Sequence, residues 1–389
     1  MLVWGLLSGY VPLELLTTPK QSVSGAAAGS FFERGLSAPI AVSWEVTYAC
    51  NLSCIHCLSS SGKKRPGELT LEECKGLMDE LARLKVFYVY IGGGEPFARR
   101  DLLDILEYAD QRGLRTPIST NGTLINGEIA QRLSTLKNIR VQLSLDGASP
   151  ATHDRIRGVG SFNRALRALD YLKEFDVPYY ITTVLTRFNF PELDQLYRLA
   201  QAQQVKLRVQ RLRPSGRGVD SWDLLHPTPD QFVQFHRWLL EHEEVLTADS
   251  FFFVNALGES LKGFSICGAA KMICLISPTG DVYPCPFIQA HEFVAGNIRE
   301  KPFQEIWTNS DVFDTFRNLE LHECSGCPAN KTCNGGCRAT AYFIRKSLEK
   351  SDAECMRRAM DENPNLRLML DPRLRLAKTS VAAPREEAA

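Results

Sequence analysis

The chain has 389 residues, which is long enough for one large domain and a smaller second one. Its 45 Lys and Arg balance its 45 Asp and Glu, so the charge indicates neither a nucleic acid nor a membrane as partner. Pro12 and Glu14 interrupt the apolar N-terminus, and no Lys or Arg precedes it, which argues against a secretory signal. No apolar run approaches the length of a transmembrane helix, so we expect a cytoplasmic protein.

The order of elements along the chain predicts four regions. Residues 1–39 form an N-terminal extension, and residues 40–250 form an α/β core. Residues 251–360 form a second domain, and residues 361–389 form a disordered tail. Six short β-branched or aromatic runs in the core alternate with amphipathic stretches, and the runs are IAVSWEV, FYVYIGG, RTPIST, RVQLSL, YYITTVL and KLRVQRL.

This alternation predicts parallel strands joined by right-handed crossovers, in a partial (β/α)6 barrel similar to a TIM barrel. Thr70 and Glu73 form a candidate capping box at the start of the first helix. The sixth helix is expected near residues 229–246. In such barrels the chemistry lies on the loops that follow the strands.

Four polar or glycine-rich loops follow the first four strands. The first holds Cys50, Cys54 and Cys57, spaced C-x3-C-x2-C, and the others read IGGGEP, STNG and SLDG. Three thiolates on a [4Fe–4S] cluster leave one iron without a protein ligand. The amine and carboxylate of S-adenosylmethionine can fill that position. A zinc site would need a fourth ligand, and His56 is the one candidate nearby.

The motif resembles that of the radical S-adenosylmethionine superfamily, and the resemblance implies a set of cofactor contacts. Gly93, Gly94 and Glu95 match the element that binds the methionine amine, and Arg157 matches the arginine that pairs with its carboxylate. The remaining matches are His56 at the adenine and Ser144 and Asp146 at the ribose. His56 and Arg157 are alternatively exposed side chains. Asn121 either reaches the cofactor or starts the STNG turn.

The chain has twelve cysteines, and eight of them lie in a second array. Clustered cysteines in a reducing compartment indicate metal ligands. Their spacing resembles the SPASM extension of peptide-modifying radical enzymes, which implies two auxiliary [4Fe–4S] clusters and three clusters in all. The implied ligand sets are Cys267, Cys274, Cys285 and Cys337, and Cys324, Cys327, Cys333 and Cys355. Cys274 is alternatively a buried thiol, and Cys74 is expected in the core.

Stretches such as VQRLRPSGRG and CGAAKMICLISPTGDVYPCPF are similar to the mycofactocin radical maturases. That resemblance implies oxidative decarboxylation of the C-terminal Tyr of a precursor peptide and its C–C cross-linking to the preceding Val. Arg211 and Arg213 either receive the peptide carboxylate or have structural roles. A separate small winged-helix protein is expected to capture the peptide, and an external donor to supply electrons.

Three alternatives remain from the sequence. One is a thioether-forming sactipeptide maturase, whose cysteine array is similar. Another is a sulfatase-maturing enzyme, but that family has an aspartate where this chain has Pro286. The third is a zinc or electron-transfer scaffold, which leaves the IGGGEP loop unexplained. No proton-transfer residue is identifiable from the sequence.

Overall fold

The computed structural model describes residues 36–247, 251 and 267–366. Most of the N-terminal extension, part of the ADSFFF stretch and residues 367–389 of the expected tail lie outside the described residues. Among the helices that are described, none is both long and apolar enough to cross a membrane.

The six predicted core strands are confirmed, each within one residue at either end. Every neighbouring pair among them is parallel, in chain order. Alternate residues of each strand point away from the barrel axis and into the apolar core, as Val42, Trp44 and Val46 do on the first strand. The strands are β1 Ala41–Thr47, β2 Tyr88–Gly93, β3 Thr116–Thr120, β4 Ile139–Ser144, β5 Tyr179–Leu185 and β6 Leu207–Arg211.

Amphipathic helices connect these strands. Thr70 and Glu73 form the predicted capping box, with Thr70 N–H donating to the Glu73 carboxylate over 2.8 Å. Cys74 is buried in the core, as expected. The helices are α1 Leu71–Arg83, α2 Leu102–Gln111, α3 Gly127–Ser134, α4 Pro150–Arg157, α5 Ser161–Glu174, α6 Leu193–Ala202, α7 Arg217–Asp220, α8 Trp222–Leu225 and α9 Pro229–Glu241, with 3-10 turns at Pro96–Ala98 and Phe190–Glu192.

The prediction that the sixth helix extends to about residue 246 was wrong at its C-terminal end. Helix α9 ends at Glu241 because His242 leaves the helical region, with φ −128° and ψ 64°. Leu246 belongs instead to a short strand, β7 Leu246–Thr247, which pairs with β6 in parallel.

The cysteine-rich region extends the same sheet, which the strand–helix pattern did not predict. Strand β8 Ile273–Ile276 pairs in parallel with β1, and β9 Asp281–Tyr283 and β10 Gly296–Asn297 continue the sheet in antiparallel fashion. The strand order is therefore β10-β9-β8-β1-β2-β3-β4-β5-β6-β7. The loop after β9 is consequently fixed beside the barrel.

Short helices complete the C-terminal region and bury Trp307 and Phe313. The helix Met356–Glu362 extends two residues, Asp361 and Glu362, into the expected tail. These helices are α10 Phe303–Asn309, α11 Asp311–Arg317, α12 Asn330–Cys333, α13 Arg338–Arg345 and α14 Met356–Glu362, with 3-10 turns at His291–Phe293 and His322–Cys324.

A buried ion pair joins the barrel to the cysteine-rich region. Arg211, at the end of β6, donates to both carboxylate oxygens of Asp352 over 2.7 and 2.6 Å, and also contacts Glu354. Burial alone raises the pKa of Asp352, but the Arg211 guanidinium overrides it and holds that pKa below its usual value. Asp352 also accepts from the backbone N–H of Cys337 over 2.8 Å. One carboxylate thus connects the last core strand to a candidate cluster ligand.

We predict that Asp352→Ala destabilises the protein by about 3–5 kcal/mol, because it leaves the buried Arg211 charge with Glu354 alone and the Cys337 N–H without its acceptor. The measurement is the thermal unfolding midpoint of anaerobically purified protein. Asp104→Ala is the control, since Asp104 pairs with Arg132 at the surface and its loss costs about 1 kcal/mol or less. Equal midpoints for the two variants would show that the buried pair does not stabilise the fold.

Candidate active site

The loop after β1 brings the first three cysteines together. Its base is closed by the backbone, with Cys50 N–H donating to the Gly62 carbonyl over 2.8 Å and Gly62 N–H donating to the Tyr48 carbonyl over 2.9 Å. Burial, together with the charges of Cys57 and Cys50 and against the effect of Arg157, raises the pKa of the Cys54 thiol to about 11. The three thiols are therefore close neighbours on one loop, which is the donor set that a [4Fe–4S] cluster with an open iron requires.

Gly93 and Gly94 let the loop after β2 touch the cysteine loop. A Cβ at Gly94 would lie 2.1 Å from the Ala49 carbonyl oxygen, and one at Gly93 would lie 2.6 Å from the Thr47 carbonyl oxygen. Gly94 N–H donates to that Thr47 oxygen over 2.8 Å. The two glycines are needed for contact between two backbones, whatever they contribute to a ligand.

Glu95 is fully buried and connects the ends of β2 and β3, and its N–H donates to the Ala49 carbonyl of the cysteine loop over 2.8 Å. Its carboxylate accepts from the Thr120 hydroxyl over 2.7 Å, from Asn121 N–H over 2.8 Å and from Phe97 N–H over 3.2 Å. Burial raises its pKa, and these hydrogen bonds oppose the rise. Glu95 thus fixes the STNG loop beside the cysteine loop.

Asn121 forms the turn, which is one of the two roles that the sequence left open. Its Oδ1 accepts from Thr123 N–H over 2.9 Å, which makes the turn. Its Nδ2 donates to Asn51 Oδ1 over 3.0 Å and lies 4.0 Å from Cys50 Sγ. The side chain is therefore a turn former that also borders the thiols.

His56, Asp146 and Arg157 form one buried network. Asp146 Oδ2 lies 2.8 Å from His56 Nε2 and 2.6 Å from Arg157 Nε. Burial alone raises the pKa of Asp146, but Arg157 and His56 hold it well below its usual range. The Arg157 carbonyl lies 3.8 Å from Cys54 Sγ. The structure therefore excludes an exposed position for His56 and a solvated one for Arg157.

Ser144 is the last residue of β4, is half-buried and lies opposite Thr182 in the sheet. Sequence reasoning missed Asn189, a fully buried residue nearby. Asn189 Nδ2 donates to the Val184 carbonyl over 2.8 Å and to the Asp146 carbonyl over 3.3 Å. It stabilises the Asp146 loop, and no motif marks it because its partners lie on other strands.

Glu45 is a second residue that the sequence did not single out. It alternates with the outward residues of β1 and is 4% exposed, and only one of its carboxylate oxygens has a partner, the Gln289 amide at 3.0 Å. Burial raises its pKa from 4.5 to about 7, against the effects of Gln289 and Arg65. Burial raises the pKa values of Tyr48 and Tyr283, and the Glu45 charge adds to both shifts. Glu45 is thus a buried carboxyl next to two phenols.

The first auxiliary group contains three of its four predicted thiols. Burial raises the pKa of Cys285, and the charges of Cys267 and Cys337 raise it further, so these three are neighbours. Cys274 lies in β8 within the apolar core. Burial raises its pKa too, but its charged neighbour is Arg317 and not another thiol. The structure therefore does not bring Cys274 to the other three.

The second auxiliary group is complete. Burial raises the pKa of Cys333 to about 12, as do the charges of Asp352, Cys355, Cys324 and Cys327, in that order. Within the described ranges, no three His, Cys, Asp or Glu side chains converge on a single ion. Each thiolate of a cubane cluster binds its own iron, so the fit to a cluster rests on the number and grouping of the thiols.

Comparisons with known proteins agree with this arrangement. The family model described as the radical SAM superfamily matches residues 44–200, and that of the iron–sulfur cluster-binding SPASM domain matches residues 267–328. The solved structure of Streptococcus suis SuiB bound to S-adenosylmethionine has a TM-score of 0.70 at 20% identity, covering 85% of this chain and 80% of that one. At that identity the likeness shows the fold alone.

The sequence relatives are closer. Mycofactocin maturase MftC of Mycobacterium tuberculosis strain H37Rv is 48% identical over 84% of this chain and 85% of its own length. An AdoMet-dependent heme synthase of Methanosarcina barkeri is 33% identical over 83% of this chain and 97% of its own length. The chain belongs to the radical SAM enzymes with a SPASM domain, in the family of the mycofactocin maturases. S-adenosylmethionine and iron–sulfur clusters are the cofactors of this class.

We predict that Gly94→Ala displaces the cysteine loop, because its Cβ overlaps the Ala49 carbonyl and neither backbone can move freely. The cost is about 1–3 kcal/mol, with loss of iron from the first site. Gly92→Ala is the matched control on the same strand, since its Cβ meets nothing within 4 Å. Iron content and thermal midpoints check both variants. Full iron content and an unchanged midpoint in Gly94→Ala would contradict the contact.

We predict that Glu45→Gln removes a pH dependence of stability. Folding raises the pKa of this carboxyl from 4.5 to about 7, so between these pH values the folded protein binds the proton more tightly than the unfolded chain does. The wild type therefore loses stability as the pH rises through this range. The loss approaches about 3 kcal/mol above pH 7. The unfolding midpoints of variant and wild type should converge near pH 5 and diverge toward pH 8, and parallel curves would contradict this.

Proposed function

We propose that this enzyme modifies a ribosomally made precursor peptide in mycofactocin biosynthesis. The reaction is oxidative decarboxylation of the C-terminal Tyr, followed by C–C cross-linking to the preceding Val. Loss of a β-hydrogen atom, carbon dioxide and one electron balances conversion of the tyrosine carboxylate to an alkene. The observation that carries the proposal is the 48% identity to a mycofactocin maturase over 84% of the chain.

The loops after the first four strands are proposed to hold S-adenosylmethionine. When bound beside the cluster, this cofactor supplies a 5′-deoxyadenosyl radical that removes hydrogen atoms from carbon. Gly93, Gly94 and Glu95 take the methionine amine, and Asn121 borders the same position. In this proposal the Arg157 guanidinium pairs with the methionine carboxylate, Asp146 and Ser144 lie near the ribose, and His56 lies at the adenine.

Three [4Fe–4S] clusters are the proposed complement. Cys50, Cys54 and Cys57 hold the first. Cys324, Cys327, Cys333 and Cys355 hold a fully ligated second. Cys267, Cys285 and Cys337 hold the third, for which Cys274 remains the proposed fourth ligand even though its sulfur lies in the core.

The proposed partners are the precursor peptide, a separate small winged-helix protein that presents it and an external electron donor, all in the cytoplasm. SuiB, whose fold resembles that of this chain with a TM-score of 0.70, has been solved with its precursor peptide bound. The clustering of the cysteines suits a reducing compartment.

The heme synthase relatives make substrate class the point to test, because 33% identity extends over nearly their whole length. The higher identity to mycofactocin maturases favours the peptide. Among peptide maturases, Pro286 directly follows Cys285 and cannot act as a base, which argues against a sulfatase-maturing activity. A sactipeptide maturase would instead yield a thioether.

The test is anaerobic turnover of a precursor peptide that ends in Val-Tyr, followed by mass spectrometry. We expect the peptide to lose the mass of carbon dioxide and two hydrogens, while S-adenosylmethionine gives 5′-deoxyadenosine. Cys54→Ala is the control and should form neither product, because it breaks the three-point binding of the cluster. Deoxyadenosine formation with an unaltered peptide would reject the proposed substrate, and formation by Cys54→Ala would reject the proposed radical site.

Iron analysis tests the cluster count. Three clusters predict about twelve irons per chain after reconstitution. Cys324→Ala with Cys327→Ala should remove about four of them, because two of the four ligands of one cluster are lost. Cys274→Ala is the informative comparison, since full retention of iron in that variant would show that Cys274 is not a ligand. A wild type with about four irons would reject the auxiliary clusters.

A further inference from the structure

Arg213 is a buried cation with unused hydrogen-bond donors. Its side chain belongs to a residue only 5% exposed, and its Nε and Nη1 have no partner among the described residues. A guanidinium keeps its proton at any physiological pH and carries five N–H donors. Buried donors and charges in folded proteins have hydrogen-bond or ionic partners. The two N–H groups of Arg213 without a partner therefore mark a site for an anion from outside the chain.

Two other buried arginines among the described residues, Arg211 and Arg338, differ from Arg213 in this respect. Arg211 is paired with Asp352 and Glu354. Arg338 donates to the backbone carbonyls of Leu348 and Lys350 over 2.7 and 3.0 Å. The sequence could not separate Arg211 from Arg213 as receptors for a carboxylate, and the ion pair assigns a structural role to Arg211.

Arg213 lies between the two regions that carry cysteines. Its own loop packs on the first cysteine loop, where the Ser215 hydroxyl donates to the Leu58 carbonyl over 3.1 Å and Arg217 Nε donates to the Cys54 carbonyl over 2.9 Å. Its guanidinium carbon lies 4.6 Å from the ring centroid of Phe287. Phe287 N–H in turn lies 3.4 Å from Cys285 Sγ. The cation is thus held at the interface of the radical site and the first auxiliary group.

The Phe287 contact also sets the geometry of recognition. A ring stacked on one face of the guanidinium leaves the edge free, and the edge is where a carboxylate binds through two parallel hydrogen bonds. The two unpaired atoms, Nε and Nη1, lie on opposite sides of the guanidinium, and each can act with Nη2 to bind one carboxylate through two hydrogen bonds. A carboxylate is therefore the ligand that the free donors and their surroundings match.

We propose that Arg213 binds the C-terminal carboxylate of the precursor peptide, the group that leaves as carbon dioxide. The proposal rests on the proposed function and deepens it. Arg213 acts as a positioning and specificity-determining residue, because it orients the terminal tyrosine between the two cysteine regions. The decarboxylated product lacks the anion, so its binding no longer includes this ion pair.

The test compares a precursor peptide that ends in a free carboxylate with the same peptide ending in a carboxamide. Binding is measured anaerobically to the reconstituted enzyme, with S-adenosylhomocysteine added so that no turnover occurs. We expect the wild type to prefer the carboxylate on the order of tenfold or more, as charge-assisted hydrogen bonds imply. Arg213→Gln should bind both peptides equally within about threefold, and Arg213→Lys should fall between.

Arg155→Gln is the matched control. Arg155 is exposed and also stacks on a ring, with its guanidinium carbon 3.6 Å from the centroid of Phe188, so it tests the loss of a ring-stacked arginine without the buried site. It should retain the full preference for the carboxylate. Iron content of every variant is measured alongside, and if Arg213→Gln loses iron, the comparison is made on Arg213→Lys, whose preference must fall below that of the wild type.

Three results would overturn the inference. In the first, the wild type binds both peptides equally but still decarboxylates the peptide with the free carboxylate. This result would reject the proposed role of Arg213 and leave the proposed function intact. The same holds if Arg213→Gln keeps the wild-type preference but shifts the potential of an auxiliary cluster, because Arg213 would then only offset cluster charge. A wild type that neither binds nor modifies the peptide would reject both proposals.

Discussion

The buried ion pair between Arg211 and Asp352 joins the barrel to the cysteine-rich region, and the rest of the structure depends on this contact. Arg211 ends the last full core strand, and Asp352 lies in the loop between Cys337 and Cys355. Asp352 also accepts from the Cys337 N–H, and its own carbonyl accepts from the Cys355 N–H over 3.1 Å, so its position fixes one candidate ligand of each auxiliary group relative to the barrel. A guanidinium suits this role since it stays charged when buried and binds a carboxylate through two bonds at once.

The sheet supplies the second constraint. Strand β8 pairs with β1, so the Cys50 loop and the loop that carries Cys285 belong to strands of one continuous sheet. The glycine contacts of Gly93 and Gly94 hold the first cysteine loop against the neighbouring strand end. The spacing between the radical site and the nearest auxiliary group is therefore built into hydrogen-bonded backbone, which deforms little. An enzyme that must keep a reactive radical and an electron acceptor in register benefits from such a frame.

Two buried polar side chains have atoms without a hydrogen-bond partner among the described residues, and apolar packing does not explain their burial. Glu45 has one unpaired oxygen beside two phenols, and Arg213 has two unpaired N–H groups beside Phe287. Both stand near the loop after β9, Glu45 through Gln289 and Arg213 through Phe287. Groups that cost stability in this way are typical of binding and catalytic regions. Together they form a buried polar region next to the first auxiliary cysteines.

The sequence by itself determined the six core strands, the Thr70 capping box and the two cysteine motifs, because each depends on residues close together in the chain. The tertiary structure alone decided which side chains meet. Arg211 and Asp352 are 141 residues apart, and Asp146 pairs with both His56 and Arg157 from three separate segments. The tertiary structure also placed Cys274 in a core strand, although the family resemblance had implied a cluster ligand. Local patterns set hydrogen bonding and burial along one element, whereas partners across the sheet are fixed only when the strands are ordered.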